Sequence, residues 1–203
     1  MLILSGCVVS SSMPDFPKKW EPIEAINPTT KCPQLSGLYA EWGDAPNGCH
    51  SGIEACRSLS YNLLGGNIGY KEFWDERATP RFPVGTHVEL RQPGDNRLEI
   101  IQWQIDKDQQ QVVGKRTLEM KKGDFTCGAD GLRLQSRLIY LLVGLSNLLG
   151  FESRSFNVGE NGYLIMKSKE SYIGHHVIFP GAHSFGIWVR WPAHSGDEII
   201  HEE

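Results

Sequence analysis

The sequence has no long hydrophobic run. A helix that spans a bilayer needs about 20 apolar residues, whereas the longest run here, residues 138–145, has eight. We therefore predict that this run belongs to a buried core. Any attachment of the chain to a membrane has to come from a lipid.

An excess of basic charge is missing as well. The chain has 20 Lys and Arg residues against 24 Asp and Glu residues, a net charge of −4, and the basic residues are scattered. Proteins that bind nucleic acid usually present a concentrated positive field to its phosphates. Nucleic acid is therefore not an expected partner.

The familiar motifs of catalysis and cofactor binding are also absent. The chain has no phosphate-binding loop and no Gly-x-Gly-x-x-Gly, and residues 144–148 lack the final glycine of a nucleophile elbow. His175 and His176 would point to opposite faces of a regular strand, so they would not bind one metal together. A metal pair of His183 with either of them stays open, although structural histidines are more common. We predict no catalytic residue, no metal and no cofactor.

Three polar residues near the start of the domain are the other candidates for chemistry. Glu41, Asp44 and His50 could converge there, but such residues are also ordinary in polar loops. They are not assigned a catalytic role.

The N-terminus contains the pattern of a lipid-attachment signal. Leu4-Ser5-Gly6-Cys7 resembles the lipobox of bacterial lipoproteins. The small residues let a peptidase reach the bond before Cys7, whose sulfur then carries a diacylglyceryl group. Residues 1–6 would be the remnant of a signal peptide. Because they lack its basic region, we expect an upstream start or a trimmed chain. The alternative is a chance match in an apolar N-terminus.

The residue after Cys7 bears on location. Val8 stands where inner-membrane lipoproteins of enteric-type bacteria have Asp. By this resemblance we expect a palmitate-type lipid anchor in the periplasmic face of the outer membrane. One acyl chain binds a membrane only marginally, whereas two or more hold it firmly.

Residues 7–31 have the composition of a tether. They contain three successive serines and prolines at 14, 17, 22 and 28, and proline disfavours regular structure around it. We predict a lipidated cysteine and a solvated tether, followed by a single β-rich domain over residues 32–203. The alternative is an arm that packs on the domain through Phe16, Trp20 and Ile23.

Four cysteines remain after Cys7. An even number in an exported chain predicts two disulfides, with three possible connectivities. Cys49 and Cys56 can close a small loop, whereas Cys32 opens the domain and Cys127 ends a predicted strand. We therefore predict the pairs Cys49–Cys56 and Cys32–Cys127. A zinc site at Cys49 and Cys56 is disfavoured, because their spacing fits no standard module.

The apolar residues mostly recur at every second position. The closely spaced strands and glycine-containing turns predict a mainly β fold, an antiparallel meander that closes as a barrel or forms a sandwich. A shift of the apolar phase at Ile100-Ile101 predicts a bulge. Residues 51–64 instead place Ile53, Leu59 and Leu63 on one helical stripe, which indicates one short lid or plug helix, or else an irregular disulfide-bound loop.

Two resemblances start at the first predicted strand. Residues 35–39, Leu-Ser-Gly-Leu-Tyr, are similar to the opening of lipocalin-like barrels, with Tyr39 in place of the usual Trp. Residues 32–39 also resemble the Cys-Pro-x-Leu-x-Gly-x-Tyr opening of a group of proteobacterial lipoproteins. In that group a later Phe-x-Cys precedes a Gly-Leu strand, as residues 125–127 and 131–132 do here. The resemblance implies an envelope location and a β fold.

These observations favour a lipid-anchored envelope protein with an interaction or structural role and no catalysis. It would bind the membrane through its lipid and contact another envelope protein. The alternative is a lipocalin-like carrier of a small apolar ligand, with inward tryptophans lining a cavity rather than filling it. Their odd spacing puts Trp188 and Trp191 on opposite faces of a regular strand.

Overall fold

A computed structural model describes residues 13–25, 32–48, 54–64, 87–106, 109–143, 146–176 and 179–194. Within these ranges the chain forms ten strands and one short α-helix, so the predicted mainly β, antiparallel class is confirmed. The elements are β1 Gly37–Ala40, α1 Leu59–Leu64, β2 His87–Arg91, β3 Arg97–Asp106, β4 Gln109–Glu119, β5 Phe125–Gly128, β6 Gly131–Leu134, β7 Arg137–Val143, β8 Ser146–Val158, β9 Leu164–His176 and β10 Phe179–Trp191.

The strands form two antiparallel sheets. The first has the order β1-β2-β3-β4, and the second has the order β10-β9-β8-β6-β5, with β7 also paired to β8. In β3 and β4 the register shifts at Gln102/Trp103. The bulge predicted at Ile100-Ile101 is not found there, because these residues pair regularly with Arg116 and Lys115, and the extra residue is Val113 on β4. Ile100 and Ile101 are both buried, on opposite faces of the sheet.

The two sheets share one hydrophobic core. Alternate residues of several strands in each sheet point into it, as the period of two requires. The first sheet contributes Val88, Leu90, Leu98, Ile100 and Leu118, and the second contributes Phe125, Leu132, Phe156, Met166 and Trp191.

Backbone bridges join the sheets along one side. Tyr39 pairs with Ala193, and Asp44 pairs with Arg190 through two backbone hydrogen bonds of 2.8 and 3.0 Å. The free edge of β1 and the end of β10 therefore meet. On the other side β4 and β5 end the two sheets, and no strand ladder between them is found in the described ranges.

Helix α1 is shorter than the predicted stripe over residues 51–64. A 3-10 turn, Glu54–Arg57, comes first, and the α-helix covers only Leu59–Leu64. Ser58 caps it, because its hydroxyl accepts a hydrogen bond from the backbone N–H of Tyr61 at 3.1 Å. Leu59 and Leu63 are fully buried in the shared core. Residues 51–53, the first three of that stripe, lie outside the described residues.

One predicted disulfide is confirmed. Cys32 and Cys127 are bonded, with their Cα atoms 5.0 Å apart and 95 positions between them in sequence. Cys56 is disulfide-bonded too, and its predicted partner Cys49 lies outside the described residues, as does Cys7. The Cys32–Cys127 bond fastens the start of the domain to β5.

Residues 13–25 form an arm packed on the second sheet, rather than the solvated tether that their composition predicts. Phe16 and Trp20 pack with Ile165 and Trp188 in a second hydrophobic cluster. Trp188 Nε1 donates to the carbonyl oxygen of Pro14 at 2.9 Å. Aromatic side chains explain the difference, because proline disfavours regular structure but does not prevent packing.

Candidate functional site

A broad groove lies on the outer face of the first sheet. Its volume is about 790 Å³, and its walls come from β1, β2 and β3. Glu89 stands at its centre and accepts hydrogen bonds from Arg91 Nε at 2.6 Å and Trp103 Nε1 at 3.0 Å. Leu38 adds an apolar wall, and the rings of His87 and His194 meet at one side with centroids 4.2 Å apart.

The groups of this groove are already engaged with one another. Partial burial raises the pKa of Glu89, but the hydrogen bonds from Arg91 and Trp103 outweigh it and lower that pKa below the ordinary value. A general base needs a pKa near the working pH, so this carboxylate is poorly suited to proton transfer at neutral pH.

A second cleft opens between the sheets beside α1. Its volume is about 390 Å³, and it is lined by α1, β4, the segment after β6, and β8. Glu152 and Arg154 form an ion pair there whose side chains are each 7% exposed. Charges this deeply buried need close partners, and Arg154 Nε donates to Glu152 Oε1 at 2.6 Å.

Two arginines hold the C-terminal end of α1 from opposite sheets. Arg116, on β4, donates from Nη1 to the carbonyl oxygens of Leu63 and Leu64 at 3.3 and 3.0 Å. Arg154, on β8, donates from Nη1 to the carbonyl oxygen of Asn62 at 2.8 Å. Cations at a helix C-terminus stabilise its unpaired carbonyls. The short helix is thereby fixed in the gap between the sheets, as a plug would be.

A buried carboxylate fixes the other end of the same helix. Glu41 is 1% exposed, and its Oε1 accepts hydrogen bonds from the hydroxyls of Ser58 and Ser60 at 2.5 and 2.6 Å. Burial raises the pKa of Glu41, and the serine hydrogen bonds offset only part of that rise. Gln102 Nε2 donates to Ser60 at 3.1 Å and extends the network to β3.

Of the polar residues considered for chemistry, the structure describes the side chains of Glu41 and Asp44, which lie in different environments. Glu41 is buried, whereas Asp44 is exposed and forms an ion pair with Arg190 at 3.5 Å. His50 lies outside the described residues. His175 and His176 lie on β9 and His183 on β10. In the described part of the chain, no three His, Cys, Asp or Glu side chains are grouped to hold a metal.

The tryptophans take several different positions. Trp191 is fully buried in the shared core and donates from Nε1 to the carbonyl oxygen of Arg57 at 2.8 Å. Trp188 lies under the arm on the outer face, so the predicted separation of these two is confirmed. Trp103 lines the first groove, and Trp42 is 44% exposed. Of the four, Trp191 is the one that fills the shared core.

The two salt-linked strand residues were missed from the sequence. Glu152 and Arg154 lie two and four positions before the core residue Phe156, so on a regular strand all three share one face. Two charged residues on a buried face were the sequence signal that could have revealed the pair. Arg116 offered no such signal, since its partners are backbone carbonyls 52 and 53 positions away.

Comparison with known proteins finds no matching family model, no similar curated protein and no similar solved structure. Among the described helices, none has the length and apolar character needed to cross a membrane.

Proposed function

We propose that this protein is a lipid-anchored bacterial envelope protein with an interaction or structural role. The observation that carries the proposal is Leu4-Ser5-Gly6-Cys7 placed shortly before an arm that packs on the domain. The disulfides at Cys32–Cys127 and at Cys56 support an oxidising compartment. Val8 favours the periplasmic face of the outer membrane.

Replacing the acceptor sulfur tests the anchor. Cys7→Ser should remove lipid from the protein, because only the thiol can form the thioether. We expect a released soluble form or an uncleaved precursor. Separation of envelope fractions and mass spectrometry of the N-terminal peptide check this. Ser10→Ala is the matched control and should leave a lipid-modified, membrane-bound protein. A parent chain whose Cys7 peptide has no added lipid mass would contradict the anchor.

The proposed role is non-catalytic, and the arrangement of the charged groups supports it. Arg116 and Arg154 are bound to helix carbonyls, and Glu89 is bound to Arg91 and Trp103. We further infer that the two sheets form a sandwich that is open beside β4 and β5. The shared core and the bridges between β1 and the end of β10 support this inference.

A carrier of a small apolar ligand is the second candidate, and the groove of about 790 Å³ favours it. A ligand would lie in that groove, because large side chains such as Trp191 and Phe156 fill the space between the sheets. Native mass spectrometry of protein from its own envelope distinguishes the candidates. A retained small molecule that Trp103→Ala releases would favour the carrier, whereas a retained protein would favour the interaction role.

A further inference from the structure

Four large apolar side chains are exposed together near one end of the second sheet. They are Leu138 on β7, Leu149 and Phe151 on β8, and Ile173 on β9, with exposed fractions of 63, 43, 54 and 67%. Leu138 is opposite Phe151, and Leu149 is opposite Ile173. Residues directly opposite in antiparallel strands share a face. These four residues therefore form one patch, which we call the tip patch.

The tip patch and the arm occupy the same face of the sheet. Ile165 is opposite Asn157, and Trp188 is opposite Lys167, and both Ile165 and Trp188 pack under the arm. Asn157 has the same parity on β8 as Phe151, so it shares the face of the tip patch. One end of this face is covered by aromatic side chains, and no segment of the described residues covers the other end.

The arm runs along this face toward the tip patch. Ile23 bridges to Gly159 beyond the end of β8, and the ring of Trp20 lies under the guanidinium of Arg190. Further along, Met13 lies so close to Gly186 that a Cβ there would overlap its sulfur. As the arm's residue numbers fall from 20 to 13, its contacts on β10 move from Arg190 to Gly186. The described part of the arm therefore ends, at Met13, nearer the tip patch than Trp20 lies.

Strand geometry sets the distances involved. Counted along β10, the cross-strand row that contains Phe151 lies two residues from Gly186, and the row that contains Ile173 lies four residues from it. At the rise of a β-strand these separations are about 7 and 14 Å. Cys7 is six residues before Met13, a span of at most about 20 Å when fully extended. A lipid on Cys7 would therefore hold the tip patch close to the bilayer surface.

The strand charges nearer the tip patch fit a phospholipid surface. Over the side chains that the structure describes, the outward positions of β8–β10 include Lys167 and Lys169 and no carboxylate. Arg190, at the end covered by the arm, is paired with Asp44, and the exposed carboxylates Asp15, Glu21 and Glu24 belong to the arm. Glu152 and Glu170 are on the opposite face, because their parity differs. Basic residues near an anionic membrane each contribute about 1 kcal/mol. In the sequence, β9 and β10 are also joined by apolar residues, Val177-Ile178, where water-exposed hairpins usually have polar or glycine residues.

We propose that the tip patch is a membrane-contact surface that rests on the phospholipid bilayer to which Cys7 is anchored. The inference rests on the proposed lipid anchor for its orientation. The lipid supplies attachment, and the tip patch sets which side of the domain faces the bilayer. The groove on the first sheet belongs to the other sheet and stays available to a partner.

The test separates the tip patch from the lipid. Full-length protein with Cys7→Ser is mixed with excess vesicles of phosphatidylethanolamine and phosphatidylglycerol, and the bound fraction is measured by sedimentation. Adding Phe151→Thr and Ile173→Thr should lower the partition coefficient roughly ten- to a hundredfold, because two apolar side chains no longer leave water. Threonine keeps the preference for strands.

The matched control adds Val112→Thr and Val113→Thr, which change two exposed valines of the first sheet. It should bind as the Cys7→Ser protein does. Vesicles of neutral phosphatidylcholine should bind more weakly but keep the difference between the two double variants. Equal binding of the two double variants, or no binding by Cys7→Ser itself, would overturn the proposal.

A Cys7→Ser dimer in sedimentation velocity that the tip-patch variant abolishes would also overturn it, because the occupant would then be a second copy. A separate measurement tests the proposed lipid anchor. If the Cys7 peptide of the parent protein has no lipid mass, the proposed function is wrong, whatever the vesicles show. If that lipid is present and the tip-patch variant binds like its control, only the inference is wrong.

Discussion

Glu41 is a carboxylate held where burial opposes its charge. Its Oε1 receives two serine hydroxyls, while Oε2 has no hydrogen-bond partner among the described residues. Burial therefore raises its pKa above 4.5. A raised acid pKa in the folded state gives stability that is present below the ordinary value and is lost as pH rises through the folded-state pKa.

Glu41→Gln should remove this pH dependence, because the amide keeps an acceptor for both serines and is never charged. In urea unfolding above pH 4.5, we expect the free energy of unfolding of Glu41→Gln to increase relative to that of the parent protein as pH rises. Glu41→Ala is the control and should lose about 1–3 kcal/mol, because Ser58 and Ser60 are left unpaired. A constant difference between Glu41→Gln and the parent across this range would contradict the raised pKa.

Helix α1 is an element whose position depends on its partners. Six residues form too few internal hydrogen bonds to be a stable helix alone. Leu59 and Leu63 anchor it in the core, Glu41 fixes its start, and Arg116 and Arg154 fix its end from different sheets. The helix therefore links the two sheets on the side where no strand ladder joins them within the described ranges.

Arg154→Met should destabilise the protein far more than an ordinary loss of an ion pair. Glu152 would stay buried without its cation, and the carbonyl of Asn62 would lose its donor. We expect a loss of about 3–5 kcal/mol in the free energy of unfolding. Arg133→Met removes an exposed pair with Asp130 and should cost at most about 1 kcal/mol. Similar losses in both variants would refute the structural role of the buried pair.

At the scale of the whole molecule, one disulfide encloses the part of the chain that forms the first sheet. The Cys32–Cys127 disulfide encloses β1, α1 and β2–β4 and ends in β5 of the second sheet. It thus joins the beginning of the first sheet to the edge of the second, next to the side that lacks a strand ladder in the described part of the chain. In the chain-entropy model such a bond restricts the unfolded state.

Cys32→Ala with Cys127→Ala should cost about 4–5 kcal/mol in the free energy of unfolding, as expected for a loop of 95 residues. The measurement is denaturant unfolding in the Cys7→Ser protein, which avoids the lipid and serves as the control. A midpoint equal to that of the control would show that this bond does not stabilise the fold.

Local signals determined the strand class and one disulfide of this protein. The alternation at residues 87–91 and 97–106 reflects a side-chain period that is a property of each strand by itself. The disulfide was predicted because Cys32 opens the domain and Cys127 ends a strand. The lipobox resemblance of Leu4-Ser5-Gly6-Cys7 is equally local, and it is the main sequence feature from which the anchor is proposed.

Tertiary contacts decided the rest. The arm packs although its prolines suit a tether, because Trp20 and Phe16 find Trp188, far away in sequence. Helix α1 stops at Leu64 and is held by Arg154, which reaches Asn62 across 92 positions. Only because the arm lies along the second sheet do Met13 and the tip patch share one face. Periodicity describes a residue's own strand, whereas these features depend on which strands meet.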